Sequence, residues 1–143
     1  MRLDRLRCQY LLERSEHGAL GTVHAERGVD AVPVCFAVEG PMIVVPVDTV
    51  KAKGTVRLQR ARNLDADPRA VLLCDHWDVT DWSRLWWVRA SLERVDTEAS
   101  AGDRLASRLS EKYAQYRDRP FAELLTFRVV SLSGWSAEPP PGG

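Results

Sequence analysis

The sequence predicts a mainly β fold of the α+β class, in which six antiparallel strands close into a small barrel flanked by helices. Runs of alternating apolar and polar residues indicate the strands, and tight turns rather than regular helical crossovers join most of them. No internal repeat and no Pro/Gly-rich linker divides the 143 residues. We therefore expect a single domain over residues 1–137, followed by a flexible tail over residues 138–143 that is too rich in proline and glycine to fold alone.

The first half of the chain predicts one helix and three strands. The helix spans Leu3–Glu16, and the strands lie within Gly18–Ala25, Asp30–Val38 and Met42–Asp48. The first two of these strands form a probable hairpin through a turn-like segment at residues 26–29. The second is apolar on both faces, which predicts a central or barrel-lining strand, with Pro33 at a position that needs no ladder N–H.

The second half predicts two further helices and three further strands. A helix over Thr55–Leu64 comes first, then a strand over Ala70–Trp77 and a tryptophan-containing strand that begins at Leu85. An amphipathic helix follows, and the last strand covers Thr126–Trp135. The apolar face of that helix is expected to carry Leu105, Leu109, Tyr113 and Tyr116.

Composition excludes several classes of function. Twenty basic residues balance twenty acidic ones, so charge gives no reason to expect nucleic acid. No apolar run is long enough to span a membrane, and the N-terminus lacks the hydrophobic core of a signal peptide. Cys8, Cys35 and Cys74 are isolated, which is typical of reduced thiols in a cytoplasmic protein. No spacing matches a metal site, a hydrolase nucleophile elbow or a Rossmann nicotinamide site.

A tryptophan-rich segment between Asp75 and Val95 carries the strongest functional signal. Four of the five tryptophans fall between Trp77 and Trp87. Tryptophan is rarely buried completely, because its large ring carries a polar N–H. Such a cluster favours a flat aromatic ligand or a subunit interface over ordinary core.

Alternation within this segment separates two neighbouring tryptophans. Trp86 begins an apolar face and is explained as core, whereas Trp87 and Arg89 share the polar face. A ring beside a guanidinium is typical of a surface for stacking and anion pairing. The alternative is an ordinary strand whose outer face carries these side chains without binding a ligand or a second chain.

A local excess of positive charge lies between Thr49 and Leu64, where no acidic residue occurs. Thr55 follows a glycine and is a plausible N-cap, so the helix start could bind a phosphate together with nearby cations. The alternative is a solvated basic helix. The cations are Lys51, Lys53, Arg57, Arg60 and Arg62.

An ordered series of motifs resembles the split-β-barrel flavin and deazaflavin oxidoreductases, which are related to pyridoxamine-phosphate oxidase. The similarity runs from Arg14 to Ala137 and is greatest to the branch that uses coenzyme F420. The motifs are His17–Val23, Val32–Phe36, Asp48 with Lys51–Lys53, Arg62–Ala70 and Asp81–Arg89.

This resemblance implies a six-stranded split β-barrel and a cofactor groove between the two subunits of a homodimer. It implies that the deazaflavin ring lies along one strand through Pro33, Val34, Cys35 and Phe36, and along a second through Pro46, Val47 and Asp48. Lys51, Lys53 and Arg57 would take the phosphate and the acidic tail. Trp86 or Trp87, and Arg89, could come from the second chain.

The implied function is hydride transfer between coenzyme F420 and a small organic substrate, quinone-like or enone-like. The cofactor would carry the hard chemical step, which explains why no catalytic triad or acid–base pair is visible. FMN is the alternative cofactor. The competing class is a non-catalytic protein that holds a flavin, coenzyme F420 or haem for storage or sensing.

Overall fold

The computed structural model describes residues 1–48 and 58–138, with only the backbone of Asp48 included. Its three α-helices and seven strands follow one another with two short 3-10 turns, at Trp82–Arg84 and Ala114–Tyr116. The helices are α1 (Arg5–Arg14), α2 (Gln59–Ala66) and α3 (Ala99–Lys112). The strands are β1 (Gly18–His24), β2 (Gly28–Val34), β3 (Ala37–Glu39), β4 (Met42–Asp48), β5 (Arg69–His76), β6 (Trp86–Arg94) and β7 (Phe121–Ser136).

The strands form one antiparallel sheet in the order β2-β1-β5-β6-β7-β4-β3. The mainly antiparallel α+β class is confirmed. The predicted count of six strands is wrong, and the sheet is not a closed barrel. The long strand β7 pairs with β4 through its first half and with β6 through its second half, so it joins the two parts of the sheet.

The extra strand arises because the run predicted as one strand over Asp30–Val38 is broken. β2 ends at Val34, β3 begins at Ala37, and the two lie at opposite ends of the strand order. The expectation of a central strand is therefore wrong for β2, which pairs only with β1 in the described part of the chain. An end position also suits Pro33, which is exposed and has no N–H to give to a neighbouring strand.

The main core lies between the sheet and α1. Cys8, Leu11 and Leu12 of α1 are buried in the same cluster as Leu20 of β1 and Leu72 of β5. This cluster continues through β4, β6 and β7, so each of these strands contributes apolar side chains to it. Burial of this apolar surface is the dominant stabilising contribution to the fold.

A second, smaller cluster packs α3 against β3 and β4. Leu105 and Leu109 of α3 are buried there with Ala37, Val44 and Tyr116. The helix ends at Lys112, so Tyr113 and Tyr116 extend its apolar face from the following cap and 3-10 turn rather than from the helix itself.

The second helix begins later than predicted. α2 starts at Gln59, and Leu58 occupies the N-cap position without a side-chain capping bond. Thr55, which the sequence predicts as the N-cap, lies outside the described residues. None of the helices in the described ranges is long and apolar enough to cross a membrane.

Candidate functional site

A pocket of about 240 Å³ lies where β2 and β4 approach one another, and we call it the β2–β4 pocket. These strands are at or near opposite ends of the strand order, so the pocket exists only because the sheet curls. Its lining comes from separate segments of the chain: His17, Pro33, Val34, Cys35, Pro46, Leu58, Arg60 and Tyr116.

The walls of this pocket combine flat apolar surfaces with two basic side chains. Pro33 and Pro46 present rigid rings without N–H donors, and Tyr116 adds an aromatic ring. Arg60 of α2 and His17 before β1 supply the basic groups. Such a lining can hold a planar ring that carries an acidic substituent, because apolar walls bury the ring while a guanidinium pairs with an anion.

The structure brings together only some of the residues that the sequence singled out. Pro33, Val34 and Cys35 line the pocket. Phe36 and Val47 are buried in the core, where they support the segments that form the pocket walls. The side chain of Asp48 and all of Lys51, Lys53 and Arg57 lie outside the described residues.

Two side chains that follow each other at the end of α3 support the break between β2 and β3. The Phe36 N–H donates to the Tyr113 hydroxyl at 3.1 Å, and the Lys112 ammonium donates to the Phe36 carbonyl at 2.8 Å. Burial raises the pKa of Tyr113 to about 12 and lowers the pKa of Lys112. Burial also raises the pKa of the neighbouring Cys74 thiol to about 11.

Arg60 is positioned by a helix that is fixed to the first hairpin. The buried Asn63 amide of α2 donates to the Thr22 hydroxyl at 3.0 Å and to the Asp30 carboxylate at 2.9 Å. The pKa of Asp30 is lowered, mainly by the hydrogen bond from Asn63. Arg62, two residues further along the same helix as Arg60, is exposed.

A second cavity, of about 440 Å³, lies on the outer side of the sheet around Trp87. We call its lining residues the tryptophan face: Leu73, Asp75, Trp77, Leu85, Trp87, Arg89 and Trp135. The strand register places Trp87 between Asp75 and Trp135, and the Arg89 guanidinium lies 5.3 Å from the Trp87 ring centroid. Trp87 and Arg89 therefore share one face of β6, as the alternation predicts, and a ligand or subunit interface on this face stays a prediction.

Trp86 points to the other side of the same strand. Its ring packs partly against the main core and stacks on His76, with 6.2 Å between ring centroids and 18° between ring planes. It also lines a cleft of about 550 Å³ beside α1. Within one chain, therefore, Trp86, Trp87 and Arg89 do not line the β2–β4 pocket.

Four lining residues of the β2–β4 pocket are not among the site residues predicted from the sequence: His17, Leu58, Arg60 and Tyr116. His17 begins the first motif of the family resemblance, which was a usable signal. Arg60 was counted only as one of five cations. Tyr116 was assigned to a helix face, and no pattern in the sequence indicates that the 3-10 turn carries it to the pocket.

Comparison with solved structures establishes the fold at low sequence identity. A conserved hypothetical protein from Mycobacterium tuberculosis is 20% identical, with a TM-score of 0.73, over 99% of this chain and 93% of that one. A FAD-binding protein from Mesorhizobium loti is 17% identical, with a TM-score of 0.66, over 94% and 93%. A haem storage protein from Vibrio cholerae is 15% identical, with a TM-score of 0.64, over 92% and 94%.

No model of a protein family matches the sequence, and no curated protein matches it. The structural neighbours therefore show which fold the chain adopts. The names of two of these neighbours describe a FAD-binding protein and a haem storage protein.

Proposed function

We propose that this chain is an oxidoreductase of the split-barrel type that binds a flavin-like cofactor, preferentially coenzyme F420, with its ring in the β2–β4 pocket. The observation that carries the proposal is the lining of this pocket: rigid apolar walls from Pro33 and Pro46 with Arg60 and His17 beside them. The fold is one that a FAD-binding protein shares. When bound, the cofactor would supply hydride transfer to a small quinone-like or enone-like substrate.

The basic residues of the sequence fit this assignment. The chain lines the pocket at Pro46 and again at Leu58, and Lys51, Lys53 and Arg57 fall between these two positions in the sequence. These cations would pair with the phosphate that coenzyme F420 and FMN both carry. The acidic tail of coenzyme F420 offers more carboxylates than FMN for these cations, which supports the preference for the deazaflavin.

The size of the pocket supports a site completed by a second copy of the chain. A volume of about 240 Å³ is below the usual 300–1,000 Å³ range of cofactor pockets. The tryptophan face leaves Trp77 57%, Leu73 40% and Trp135 37% exposed around one cavity, and adjacent exposed apolar side chains are typical of interaction surfaces. We propose a homodimer in which Trp87 and Arg89, or Trp86, of one copy extend the pocket of the other.

Ligand binding tests the proposal directly. The purified protein is titrated at matched ionic strength with coenzyme F420, FMN, FAD and haem, with quenching of ligand or tryptophan fluorescence as the signal. We expect the tightest binding for coenzyme F420. Equal or tighter binding of FMN would transfer the assignment to an FMN oxidoreductase, and binding of haem alone would favour a storage function.

A matched pair of variants ties the binding to the pocket. Arg60→Gln removes the guanidinium that lines the pocket, whereas Arg62→Gln removes an exposed one from the same helix. A charge-assisted hydrogen bond contributes about 1.5–3 kcal/mol, so Arg60→Gln should weaken binding by roughly tenfold or more while Arg62→Gln leaves it unchanged. Equal effects of the two changes would contradict a ring site in this pocket.

Activity and assembly separate the remaining alternatives. Reduction of menadione or cyclohexenone by reduced coenzyme F420 distinguishes an enzyme from a non-catalytic carrier of the same cofactor. Light scattering at micromolar concentration measures the assembly, and a monomeric mass would exclude the shared site. A cytoplasmic location, predicted from the isolated cysteines, belongs to the same proposal.

A further inference from the structure

The chain crosses from one end of the sheet to the other within two residues. Cys35 and Phe36 separate β2 from β3 and belong to neither strand, so their backbone groups have no partner in the sheet ladder. Phe36 is completely buried, and a buried backbone N–H or carbonyl needs a hydrogen-bond partner. Side chains from the end of α3 provide both partners.

Tyr113 connects this break to another part of the pocket wall. Its hydroxyl accepts the Phe36 N–H at 3.1 Å, and its single proton lies within hydrogen-bond reach of the Glu16 carbonyl at 2.7 Å and of the Phe36 carbonyl at 3.0 Å, the Glu16 contact being the shorter. Glu16 is adjacent to His17, and Phe36 is adjacent to Cys35. One hydroxyl therefore contacts two segments in which the neighbouring residue lines the β2–β4 pocket.

Lys112 completes the arrangement from the other side of Phe36. Its ammonium donates to the Phe36 carbonyl at 2.8 Å and lies 4.0 Å from the Phe36 ring centroid. The carbonyl and the ring together hold the ammonium in a partly buried place, which lowers the pKa of Lys112. Lys112 is therefore held against the backbone and the ring of Phe36, although it does not line the β2–β4 pocket.

We propose that Tyr113 and Lys112 are positioning residues, which hold the segments carrying His17 and Cys35 at the spacing that shapes the β2–β4 pocket. The proposal rests on the proposed function in one respect, because the proposed function supplies the ligand that this pocket binds. Neither side chain lines the pocket itself, so both act through the backbone of Phe36 and Glu16.

Amide hydrogen exchange tests the positioning role without any ligand. Tyr113→Phe removes only the hydroxyl and keeps the ring that packs edge-on against Tyr116 at 5.4 Å. The Phe36 amide should exchange roughly threefold to tenfold faster, as expected for the loss of one hydrogen bond. The core amides of Leu20 and Leu72 serve as the internal reference. The matched control is Tyr10→Phe, since Tyr10 is half-exposed on α1 and lies outside this pocket.

Titration of the same variants with coenzyme F420 and FMN measures the consequence for binding. Tyr113→Phe and Lys112→Met should each weaken binding of the ring compound that wild type prefers by at least threefold, with Tyr10→Phe unchanged. The dissociation constants are measured at one pH and one ionic strength. Differences in salt screening then do not contribute to the effect of removing the Lys112 charge.

The outcomes are distinct. Faster exchange confined to Phe36, with weakened binding, supports the proposal. Exchange that rises equally at Leu20 and Leu72 would mean a general loss of stability and would overturn it, as would faster local exchange with unchanged binding. If wild type binds neither ring compound, the proposed function fails, whereas the exchange at Phe36 still decides whether Tyr113 holds the break.

Discussion

The β2–β4 pocket and the tryptophan face are built in different ways. The pocket is lined by residues from His17 to Tyr116, contributed by two strands, a helix, a 3-10 turn and three connections that are distant in the sequence. The tryptophan face comes from adjacent positions on β5, β6 and β7, held side by side by the strand register. One region depends on the complete fold, and the other depends on three neighbouring strands.

This difference predicts how each region responds to change. Side chains behind the pocket, such as Phe36, are fully buried in the core, so the shape of the pocket is coupled to global stability. Leu73, Trp77 and Trp135 of the tryptophan face are exposed, so their substitution should cost less stability than substitution of a side chain buried in the core. The shape of the β2–β4 pocket is therefore fixed by the core, whereas the tryptophan face is suited to contact with a second surface.

The largest expected effect comes from Phe36→Ala. Removing a fully buried aromatic ring costs about 3–5 kcal/mol in the free energy of unfolding. The matched substitution on the tryptophan face is Trp77→Ala, which should cost about 0.5–1.5 kcal/mol, because the ring is 57% exposed and makes an edge-to-face contact with Trp82. Urea unfolding of both variants measures the contrast, and costs of similar size would contradict the distinction between the two regions.

The next effect concerns the helix that carries Arg60. Asn63→Ala leaves the buried Thr22 hydroxyl without this donor and removes a bond to Asp30, so we expect a loss of about 1–3 kcal/mol. Gln9→Ala is the control, since the amide bonds of Gln9 are at the surface. Urea unfolding checks the value, and a loss no greater than that of Gln9→Ala would show that α2 is held by other contacts.

The same substitution changes the response to acid. The pKa of Asp30 is lowered in the folded state, so its contribution is present above the unfolded pKa of 3.8 and is lost as pH falls through the folded pKa. Without Asn63, the largest cause of this shift is gone, and the stability of the variant should fall less steeply below about pH 4 than that of wild type. Unfolding midpoints across the acid range provide the comparison, and parallel curves would exclude the bond to Asp30 as the cause.

Alkaline unfolding provides a test on the pocket side. The pKa of Tyr113 is raised from 10.0 to about 12, so between these values the unfolded state loses its proton first. Stability therefore falls as pH rises through this window, and Tyr113→Phe should remove that part of the fall. Unfolding curves of this variant and of Tyr10→Phe are compared at several pH values above 9. If the free energy of unfolding of Tyr113→Phe falls with pH as steeply as that of wild type, the buried position of the hydroxyl is contradicted.

Local patterns predicted the strands and the two faces of β6, because alternation depends only on neighbouring residues. Trp86 on the core side and Trp87 with Arg89 on the outer side follow directly from it. The break at Cys35–Phe36 does not, because the run is apolar throughout and its interruption depends on Tyr113, which is 77 residues away from Phe36. The position of Arg60 at the pocket could not be predicted either, because the start of α2 at Gln59 determines which arginine faces the pocket.

The smallest expected effect on folding belongs to the tryptophan face. Arg89→Met removes a guanidinium that lies 5.3 Å from the Trp87 ring centroid, and a cation–π contact at an exposed site contributes about 0.5–1 kcal/mol. The free energy of unfolding, measured with urea on dilute protein, should therefore change by no more than this amount.

If the tryptophan face is the contact between two copies, Arg89→Met should weaken dimerisation by more than it weakens the fold, because burial in an interface removes the solvent that screens the pair. Sedimentation over a range of concentrations measures the dimer constant, with Arg62→Met as the exposed control on α2. An unchanged dimer constant in Arg89→Met would place the interface elsewhere and leave this face as a decorated outer surface of the sheet.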